Sequence, residues 1–364
     1  LAMRFQQLTP AAMAKGLEDT AFYRHLRLTA LNEVGGDPAR FGVSPDAFHA
    51  AMTDAARRWP HAMLALSTHD TKRSADLRAR LAVLSEDPAG WASLVAELAA
   101  AAAAHRSGDG GPTDADVELL AQTVVGAWPI DADRAVDYLR KATNEAKLRT
   151  SWTAPNAEYD AAVEALVRGA LSDPRFVSVV ERGVAGILEA GRRAALAQVA
   201  LQLTAPGVPD VYQGNEAWDL SLVDPDNRRP VDHGGLRALL DRARTTDAAT
   251  AWADPDAGLP KLWLVARLLD LRCRRPDLFA HGGYRPLRAS GSGSAAVVAF
   301  AREDAVITVV PRLVRRVARD GWGDTSLVLP PGTWRGLDER RVTGRVAVAE
   351  LLDAFPVAVL EREE

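Results

Sequence analysis

The sharpest change from apolar to polar residues along the chain lies near position 67. An apolar run over residues 62–66 ends in two hydroxyl residues, the pair His69-Asp70 and two cations, after which a segment of helical character begins. This pattern predicts a short buried strand with polar side chains at its C-terminal end, followed by a helix. A (β/α)8 barrel presents its chemical groups at such strand ends. We therefore interpret His69 and Asp70 as candidate residues of an active-site floor.

A purely structural role for Asp70 stays open at this point. Thr68, Asp70 and Ser74 each carry an oxygen that suits the N-cap of the helix predicted through Leu77 and Leu81. Polar segments further along the chain bear on the choice.

A second predicted strand also ends in polar residues. A buried helix over 194–204 is followed by a short apolar strand over 208–212, and Gly214 then allows a sharp turn of the backbone. The polar residues at this strand end are Tyr212, Gln213 and Glu216.

A third polar segment follows at 222–232. Pro225 and Pro230 stiffen it, and the Arg forks suit bidentate pairing with carboxylates, so we expect a fixed polar network there. The charged residues that we single out are Asp224, Asp226, Arg228 and Arg229.

The N-terminal region shows weaker helical periodicity. The spacing of the apolar residues there is roughly that of one helix face: Leu17, Phe22, Leu26 and Ala30. Glu18 and Asp19 are adjacent, and adjacent helical positions diverge by about 100 degrees, so they do not face one substrate atom together. Complementing the helix dipole is an alternative role for these carboxylates. A further helix is predicted to begin at 44–46, with Ser44 or Asp46 as its cap.

The pattern of the remaining chain divides in two. Residues 86–175 show helical periodicity without a strand signal, with a break over 107–112 and Thr113 as the next cap, which predicts a helical insertion. Four short β-branched runs near the C-terminus predict a small antiparallel β domain, at 295–301, 305–310, 325–329 and 356–360. The Gly-Ser repeat at 290–294 is then a hairpin loop.

These elements predict an α/β plus β fold. It comprises the C-terminal part of a (β/α)8 barrel, a large helical insertion and a small antiparallel C-terminal β domain. The expected boundaries are 1–85 for a partial barrel, 86–175 for the insertion, 176–280 for the end of the barrel and 281–364 for the β domain.

Composition narrows the class of protein. At 364 residues the chain is long enough for several units with a sizeable core, and its net charge of -4 argues against nucleic-acid binding by bulk electrostatics. No apolar run has the length of a membrane span. The single cysteine, Cys273, excludes an internal disulfide, so we expect a cytoplasmic protein in which this thiol has no catalytic role. The scattered histidines predict no metal site, and we expect no cofactor.

Several segments together carry a family resemblance. A strand ending in His-Asp, a Pro-Gly-x-Pro-x-x-Tyr-x-Gly-x-Glu segment and a C-terminal β domain resemble the second half of an α-amylase superfamily enzyme. Four segments resemble the maltooligosyltrehalose synthases in particular, and they span nearly the whole chain: 13–24 (MAKGLEDTAFYR), 67–73 (STHDTKR), 146–152 (AKLRTSW) and 222–230 (LVDPDNRRP).

The resemblance implies an intramolecular transglucosylation. The reducing-end α-1,4 linkage of a maltooligosaccharide becomes an α,α-1,1 linkage, which is a step of trehalose biosynthesis. Such retaining chemistry uses a nucleophile and a general acid/base, and by the resemblance both lie on earlier barrel strands, outside this sequence. Asp70 corresponds to the third carboxylate of the superfamily, with His69 as its neighbour.

The resemblance also implies contacts to substrate and a protein partner. The expected substrate-binding residues are Lys15, Glu18, Asp19, Lys72, Arg73, Tyr212, Gln213 and Glu216. Arg73 alternatively pairs with Asp76. Tyr212, Gln213 and Glu216 either close the pocket or support it from behind. We expect the N-terminal half of the barrel as the partner, and no nucleic acid or membrane. The 364-residue chain alone is then inactive.

Two other functions remain open from the sequence. The parent protein is alternatively another α-amylase superfamily hydrolase or transglycosylase. The chain is alternatively a non-catalytic carbohydrate-binding module, in which Asp70 is only a helix cap.

Overall fold

Helices dominate the first three quarters of the chain, and antiparallel strands dominate the rest. The structure is a computed structural model that describes residues 1–107 and 110–363. Within them the α-helices are α1 (Ala2–Ala12), α2 (Pro45–Arg58), α3 (Ala75–Ala82), α4 (Pro88–Ala102), α5 (Asp114–Ala127), α6 (Ala132–Ala146), α7 (Ala157–Ser172), α8 (Pro174–Ala185), α9 (Leu188–Thr204), α10 (His233–Thr245), α11 (Ala248–Ala253), α12 (Leu259–Arg274), α13 (Pro276–His281), α14 (Val314–Asp320) and α15 (Val348–Leu351).

The strands of the described residues are short. They are β1 (Met63–Ala65), β2 (Val208–Asp210), β3 (Tyr284–Leu287), β4 (Val297–Arg302), β5 (Val306–Pro311), β6 (Ser326–Val328), β7 (Trp334–Gly336), β8 (Arg341–Val342), β9 (Arg345–Ala347) and β10 (Ala358–Arg362).

The chain forms two compact units, each built from separate stretches of sequence. Unit 1 comprises Leu1–Phe41, His69–Glu189 and Leu220–Arg229. Unit 2 comprises Gly42–Thr68, Ala190–Asp219 and Pro230–Glu364. Each unit is described by itself below.

Unit 1 is helical, as the pattern over 86–175 predicts. The described residues of this stretch form α4 to α7 without a strand. Thr113 caps α5, and a capping box forms because Asp116 accepts from the Thr113 backbone N–H in return. Of the predicted break over 107–112, Gly108 and Asp109 lie outside the described residues. Between α3 and α5 the packing is close: a Cβ at Gly126 would lie 2.9 Å from a methyl carbon of Leu77.

The predicted helical stripe near the N-terminus is wrong in its detail. The backbone forms a π-helical turn over Met13–Glu18 and separate 3-10 turns over Ala21–Tyr23 and Thr29–Leu31. The Asn32 amide donates to the carbonyl oxygens of Phe22 at 2.8 Å and His25 at 2.5 Å. Such side-chain bonds to the backbone compete with a continuous helix, which accounts for the interruption.

The N-cap of α3 settles one of the open alternatives. Ser74, in extended backbone conformation, occupies the N-cap position, and the helix begins at Ala75. Asp70 lies in a turn four residues earlier. The interpretation of Asp70 as the helix cap is therefore wrong. At α2 the predicted cap is confirmed, because the Ser44 hydroxyl accepts from the Ala47 N–H at 3.1 Å.

The first two strands belong to unit 2 and pair in parallel. Met63 of β1 lies opposite Val208 of β2, and Ala65 lies opposite Asp210. The predicted positions of both strands are confirmed, but the prediction that the first is buried is wrong. Met63 is 69% exposed and Val208 is 43% exposed, because only one neighbour covers each strand in this two-stranded sheet.

The C-terminal part of unit 2 is the predicted antiparallel β region. Its six-stranded sheet has the order β3-β4-β5-β10-β7-β8, and β6 pairs with β9 in a separate two-stranded sheet. Strands β3 and β4 pair antiparallel on either side of the Gly-Ser segment, which confirms that segment as a hairpin loop.

Two hydrophobic cores cover the two faces of β4 and β5, which explains why both strands are apolar at almost every position. One face contributes Val298, Val306 and Val310 to a core shared with α9 and α12. The other contributes Val297, Ala299, Ala301, Ile307 and Val309 to a core shared with β6, β7 and β10. The buried polar residues of these strands are Arg302 and Thr308, and the Thr308 hydroxyl donates to that of Thr204 at 2.9 Å.

The fold therefore comprises a helical unit and a unit that carries an antiparallel sheet region. Within the described residues, no helix combines the length and apolar character needed to span a bilayer.

Candidate functional site

The candidate site of unit 1 is built on the turn that precedes α3. His69 and Asp70 are exposed in this turn, whereas Thr71, Lys72 and Arg73 are buried immediately after it. Two exposed side chains are thus followed directly by a buried stretch of chain. This is the arrangement by which a protein scaffold holds polar groups for a ligand.

Two buried side chains hold the backbone on either side of Asp70. Glu33 accepts from the backbone N–H groups of Lys72 at 2.8 Å and Arg73 at 3.1 Å, one with each carboxylate oxygen. The amide of Asn227 donates to the carbonyl oxygen of His69 at 3.1 Å. Glu33 is 7% exposed and Asn227 is 9% exposed, so water competes little for these bonds. We call Glu33 and Asn227 the backbone clamp.

Lys15, Asp19 and Lys72 form a charged triad in the same unit. The Asp19 carboxylate accepts from Lys15 Nζ at 2.5 Å with one oxygen and from Lys72 Nζ at 2.7 Å with the other. The Lys15 side chain is 77% exposed, whereas that of Lys72 is 4% exposed. The triad therefore connects the buried stretch after Asp70 to the protein surface.

The electrostatics of the triad favour its charged state. Burial by itself raises the pKa of Asp19, but the hydrogen bonds and charges of Lys15 and Lys72 outweigh it and leave that pKa below its usual value. The pKa of Lys15 is raised, first by its hydrogen bond to Asp19 and then by that residue's charge. The charges of Glu145 and Asp70 raise it further, so Asp70 lies within electrostatic reach of the triad.

Glu18 and Arg73 are directed into the protein. Glu18 is 7% exposed and accepts from the Gly35 N–H at 3.0 Å. Arg73 is 3% exposed; its guanidinium donates to the Thr29 carbonyl oxygen at 3.2 Å and to the hydroxyl of Tyr138. Glu18 and Arg73 therefore hold neighbouring segments of the chain in place.

Residues 222–229 of the polar loop lie in the same unit and are tied to α6. Arg134 donates two bonds to the Asp226 carboxylate, at 2.8 and 2.9 Å, and Lys141 donates to Asp224 at 2.7 Å. Arg229 pairs with Asp226 at 3.1 Å, and Arg228 is exposed. Burial raises the pKa of Asp226, but the hydrogen bond from Arg134 contributes to a net lowering.

Tyr212, Gln213 and Glu216 belong to unit 2. They follow β2 in a turn at which Gly214 has a φ of 82 degrees, a conformation that glycine adopts without a steric cost. Gln213 is exposed, and Tyr212 and Glu216 are half-buried.

The arrangement around Asp70 suits a neutral, hydroxyl-rich ligand. Exposed carboxylates accept hydrogen bonds from hydroxyl groups and an exposed ammonium donates them, which together satisfy the polar edge of a sugar. In the described part of the chain, no group of three or more His, Cys, Asp or Glu residues is placed to hold a metal ion. Cys273 is an exposed free thiol on α12.

Comparison with known proteins gives consistent matches in sequence and in structure. Over 370 aligned residues the chain is 40% identical to the putative maltooligosyl trehalose synthase of Mycobacterium tuberculosis, covering 100% of this chain and 46% of that protein. The structure of maltooligosyltrehalose synthase from Arthrobacter ramosus matches with a TM-score of 0.90 and 41% identity, covering 100% of this chain and 46% of that one.

Along its whole length, this chain is similar to the maltooligosyltrehalose synthases. It corresponds to the C-terminal part of such a protein and spans about half the length of the curated relatives that it matches, 46% of each. A Sulfolobus tokodaii structure described as a hypothetical maltooligosyl trehalose synthase matches over 99% of this chain and 47% of its own, with a TM-score of 0.81 and 30% identity. A scan against protein-family models finds no match.

Sequence reasoning missed four residues that shape the candidate site. They are Glu33, Asn227, Arg134 and Lys141. Asn227 lies inside the charged segment that the sequence singled out, so its position gave a usable signal. Glu33 lies in a Gly-rich loop, and Arg134 and Lys141 lie on an ordinary amphipathic helix, so only the three-dimensional contacts reveal them.

Proposed function

We propose that this chain is the C-terminal part of an enzyme that isomerises the reducing end of maltooligosaccharides. The enzyme converts the terminal α-1,4 linkage into an α,α-1,1 linkage and so forms a trehalose unit. The observation that carries the proposal is the 40% identity to a named maltooligosyl trehalose synthase across 100% of this chain. The single cysteine fits the reducing conditions of the cytoplasm, where we place the protein.

Asp70 is the chain's contribution to the reacting centre in this proposal. The nucleophile and the general acid/base come from the preceding half of the full-length protein. Asp70 and His69 bind hydroxyl groups of the glucose ring that flattens toward an oxocarbenium ion. Hydrogen bonds to a carboxylate strengthen as positive charge develops on that ring, so they lower the barrier in addition to binding the substrate.

The other candidate residues divide by exposure. Lys15, with its exposed ammonium, and Asp19 contact the glucose that is released and rejoined. Lys72 and Arg73 are buried, so we assign them the positioning of that surface, and Glu18 the same role through Gly35. Tyr212, Gln213 and Glu216 remain the substrate-binding candidates of unit 2, at its second polar strand end.

We further propose that β1 and β2 are staves of a (β/α)8 barrel whose other staves belong to the N-terminal half of the full-length protein. The domain boundaries then follow the prediction: 1–85, 86–175, 176–280 and 281–364. Uncovered apolar surface supports this assembly. In unit 1 the helix α1 has no buried residue, and its Phe5 is 65% exposed. In unit 2, Met63 and Ala65 of β1 and Val208 of β2 are exposed as well.

Product analysis of the full-length protein tests the proposal. Incubation with maltopentaose is expected to give a product of the same mass that lacks a reducing end, as measured by chromatography and by loss of the reducing-sugar signal. Free glucose or maltose as the main product would indicate the hydrolase alternative instead. Binding of maltopentaose without any conversion would indicate a carbohydrate-binding module.

A further inference from the structure

Trp152 presents its ring to solvent, in contrast to the buried tryptophans of the chain. It is 56% exposed, whereas Trp263 and Trp334 are 1% and 0% exposed. Its indole N–H donates to an oxygen of the Glu145 carboxylate at 3.0 Å. That bond fixes the ring orientation, so a rigid, flat apolar surface remains available to a ligand.

The backbone that carries Trp152 is held in place. Lys147 ends α6 in the left-handed conformation, with a φ of 55 degrees, which is uncommon for a residue with a side chain. Ser151 and Ala154 then exchange two backbone hydrogen bonds, each of 3.2 Å. The reversal brings residue 152 back beside Glu145 on the last turn of the helix.

The same segment is connected to the candidate site within unit 1. Lys147 Nζ donates to the Thr20 hydroxyl at 2.9 Å, and Arg24 Nε donates to the carbonyl oxygen of Ala146 at 2.6 Å. Thr20 directly follows Asp19 of the charged triad. The charge of Glu145 acts on Lys15 together with that of Asp70, as their joint effect on the Lys15 pKa indicates. Through Glu145 and Lys147, Trp152 is therefore connected to the segment that carries the charged triad.

We propose that Trp152 and Glu145 form a binding subsite for a glucose unit of an α-1,4-glucan, at a distance from the reacting bond. The indole face stacks on the apolar face of the sugar ring, and the Glu145 carboxylate accepts a hydrogen bond from one of its hydroxyl groups. A flat ring beside an oriented carboxylate matches a pyranose, which has C–H groups on its faces and hydroxyl groups around its edge.

This subsite rests on the proposed function, because it names where a further part of the same substrate binds. It predicts a dependence on substrate length. Maltooligosaccharides long enough to reach Trp152 gain affinity from it, and the shortest ones do not.

Kinetics and calorimetry on the full-length protein test the subsite. Trp152→Leu keeps apolar volume but removes the flat ring, and Trp152→Phe keeps a flat ring. For maltohexaose, Trp152→Leu is expected to raise KM and Kd by about three- to tenfold with kcat unchanged, whereas Trp152→Phe stays within about twofold. The matched control is Trp59→Leu, which removes an indole that is 63% exposed in unit 2 and leaves both constants unchanged.

The outcomes separate this inference from the proposed function. If the wild-type protein forms the non-reducing product and Trp152→Leu has the wild-type KM and Kd for maltohexaose, the subsite is wrong and the proposed function stands. An equal rise of KM for maltotriose and maltohexaose with Trp152→Leu also contradicts a remote subsite. If the wild-type protein neither converts nor binds maltohexaose, the proposed function fails, and the subsite fails with it.

Discussion

The backbone clamp is the residue-scale feature that most directly determines where Asp70 points. Glu33 uses both carboxylate oxygens on consecutive N–H groups, and Arg78 pairs with it at 3.5 Å. Asn227 holds the carbonyl on the other side of Asp70. In the proposed function Asp70 binds substrate from an exposed turn, and it then needs such support, because an error of about 1 Å in its position costs much of its effect on rate.

We predict that Glu33→Gln loosens this turn. The amide of the Glu33→Gln variant would have only one acceptor oxygen, so one of the two backbone N–H groups would face an NH2 group and lose its acceptor. We expect this to lower the free energy of unfolding by about 2 to 3 kcal/mol. Urea denaturation of the full-length protein measures this loss, and kcat is expected to fall with it. Glu181→Gln, at an exposed position, is the matched control and should change stability by less than about 0.5 kcal/mol. If both variants have the same free energy of unfolding, Glu33 does not hold the turn as we propose.

The sequence predicted the two exposed side chains of the turn but not the clamp. His69 and Asp70 follow an apolar run, and that local transition is visible in the sequence. Glu33 and Asn227 reach the turn from 40 and 158 residues away in the chain. No local pattern encodes a contact of that separation, so the clamp could not be predicted from one sequence.

At the scale of elements, the tie between α6 and the polar loop determines how the 220–229 stretch joins unit 1. The Arg134 fork and Lys141 lie two turns apart on α6 and bind Asp226 and Asp224, respectively. Asp226 also accepts from the backbone N–H of Leu222 at 2.7 Å, next to the bridge between Leu222 and Arg73. The loop that supplies Asn227 is therefore anchored by a largely buried ion pair.

We predict that Asp226→Asn destabilises the protein by about 3 kcal/mol, because it leaves the Arg134 guanidinium without its charge partner in a largely buried position. Chemical denaturation of the full-length protein measures the change. Asp133→Asn on the same helix is the control, since that side chain is 81% exposed and its ion pair contributes less than about 1 kcal/mol. A loss as small as that of the control would mean that the loop does not depend on this pair.

The free energy of unfolding at acidic pH depends on two of these carboxylates, Asp226 and Asp19. The pKa values of Asp226 and Asp19 are lowered from the usual 3.8 in the folded protein. Their stabilising contribution is therefore complete above the unfolded value and is lost as the pH falls through the lowered folded values. We predict that the stability difference between wild type and Asp226→Asn shrinks below about pH 4. Denaturation curves between pH 7 and pH 2 test this, and a difference that stays constant across that range would contradict it.

Elements were predictable where a local signal specifies them. Thr113 and Ser44 start helices in which their own hydroxyls accept backbone bonds, and the β-branched runs form β4 and β5. The exposure of β1 was not predictable from its apolar residues, because burial depends on the neighbours that a strand has. The segment after Met13 forms short turns because the Asn32 amide binds the carbonyl oxygens of Phe22 and His25. The hydrophobic periodicity of the sequence gives no sign of this contact.

At the scale of the whole molecule, the chain carries apolar surface that its own residues leave exposed. Met3, Phe5 and Leu8 of α1 are 74%, 65% and 64% exposed. The chain also spans 46% of its relatives. We predict that the 364-residue chain by itself does not convert maltopentaose, because the proposed function places the nucleophile and the acid/base in the other half. Co-expression with that half is expected to restore conversion, and activity of the chain alone, measured by loss of reducing ends, would contradict the assignment.

The kcat of the full-length Asp70→Asn variant with maltopentaose tests the central claim most directly. We predict a fall of about a hundred- to a thousandfold, because the amide removes a charge that stabilises the developing positive ring, while the melting temperature stays at the wild-type value. Asp133→Asn is the control and should keep wild-type kcat. A kcat of Asp70→Asn within about threefold of wild type would contradict the claim that this carboxylate acts on the reacting sugar.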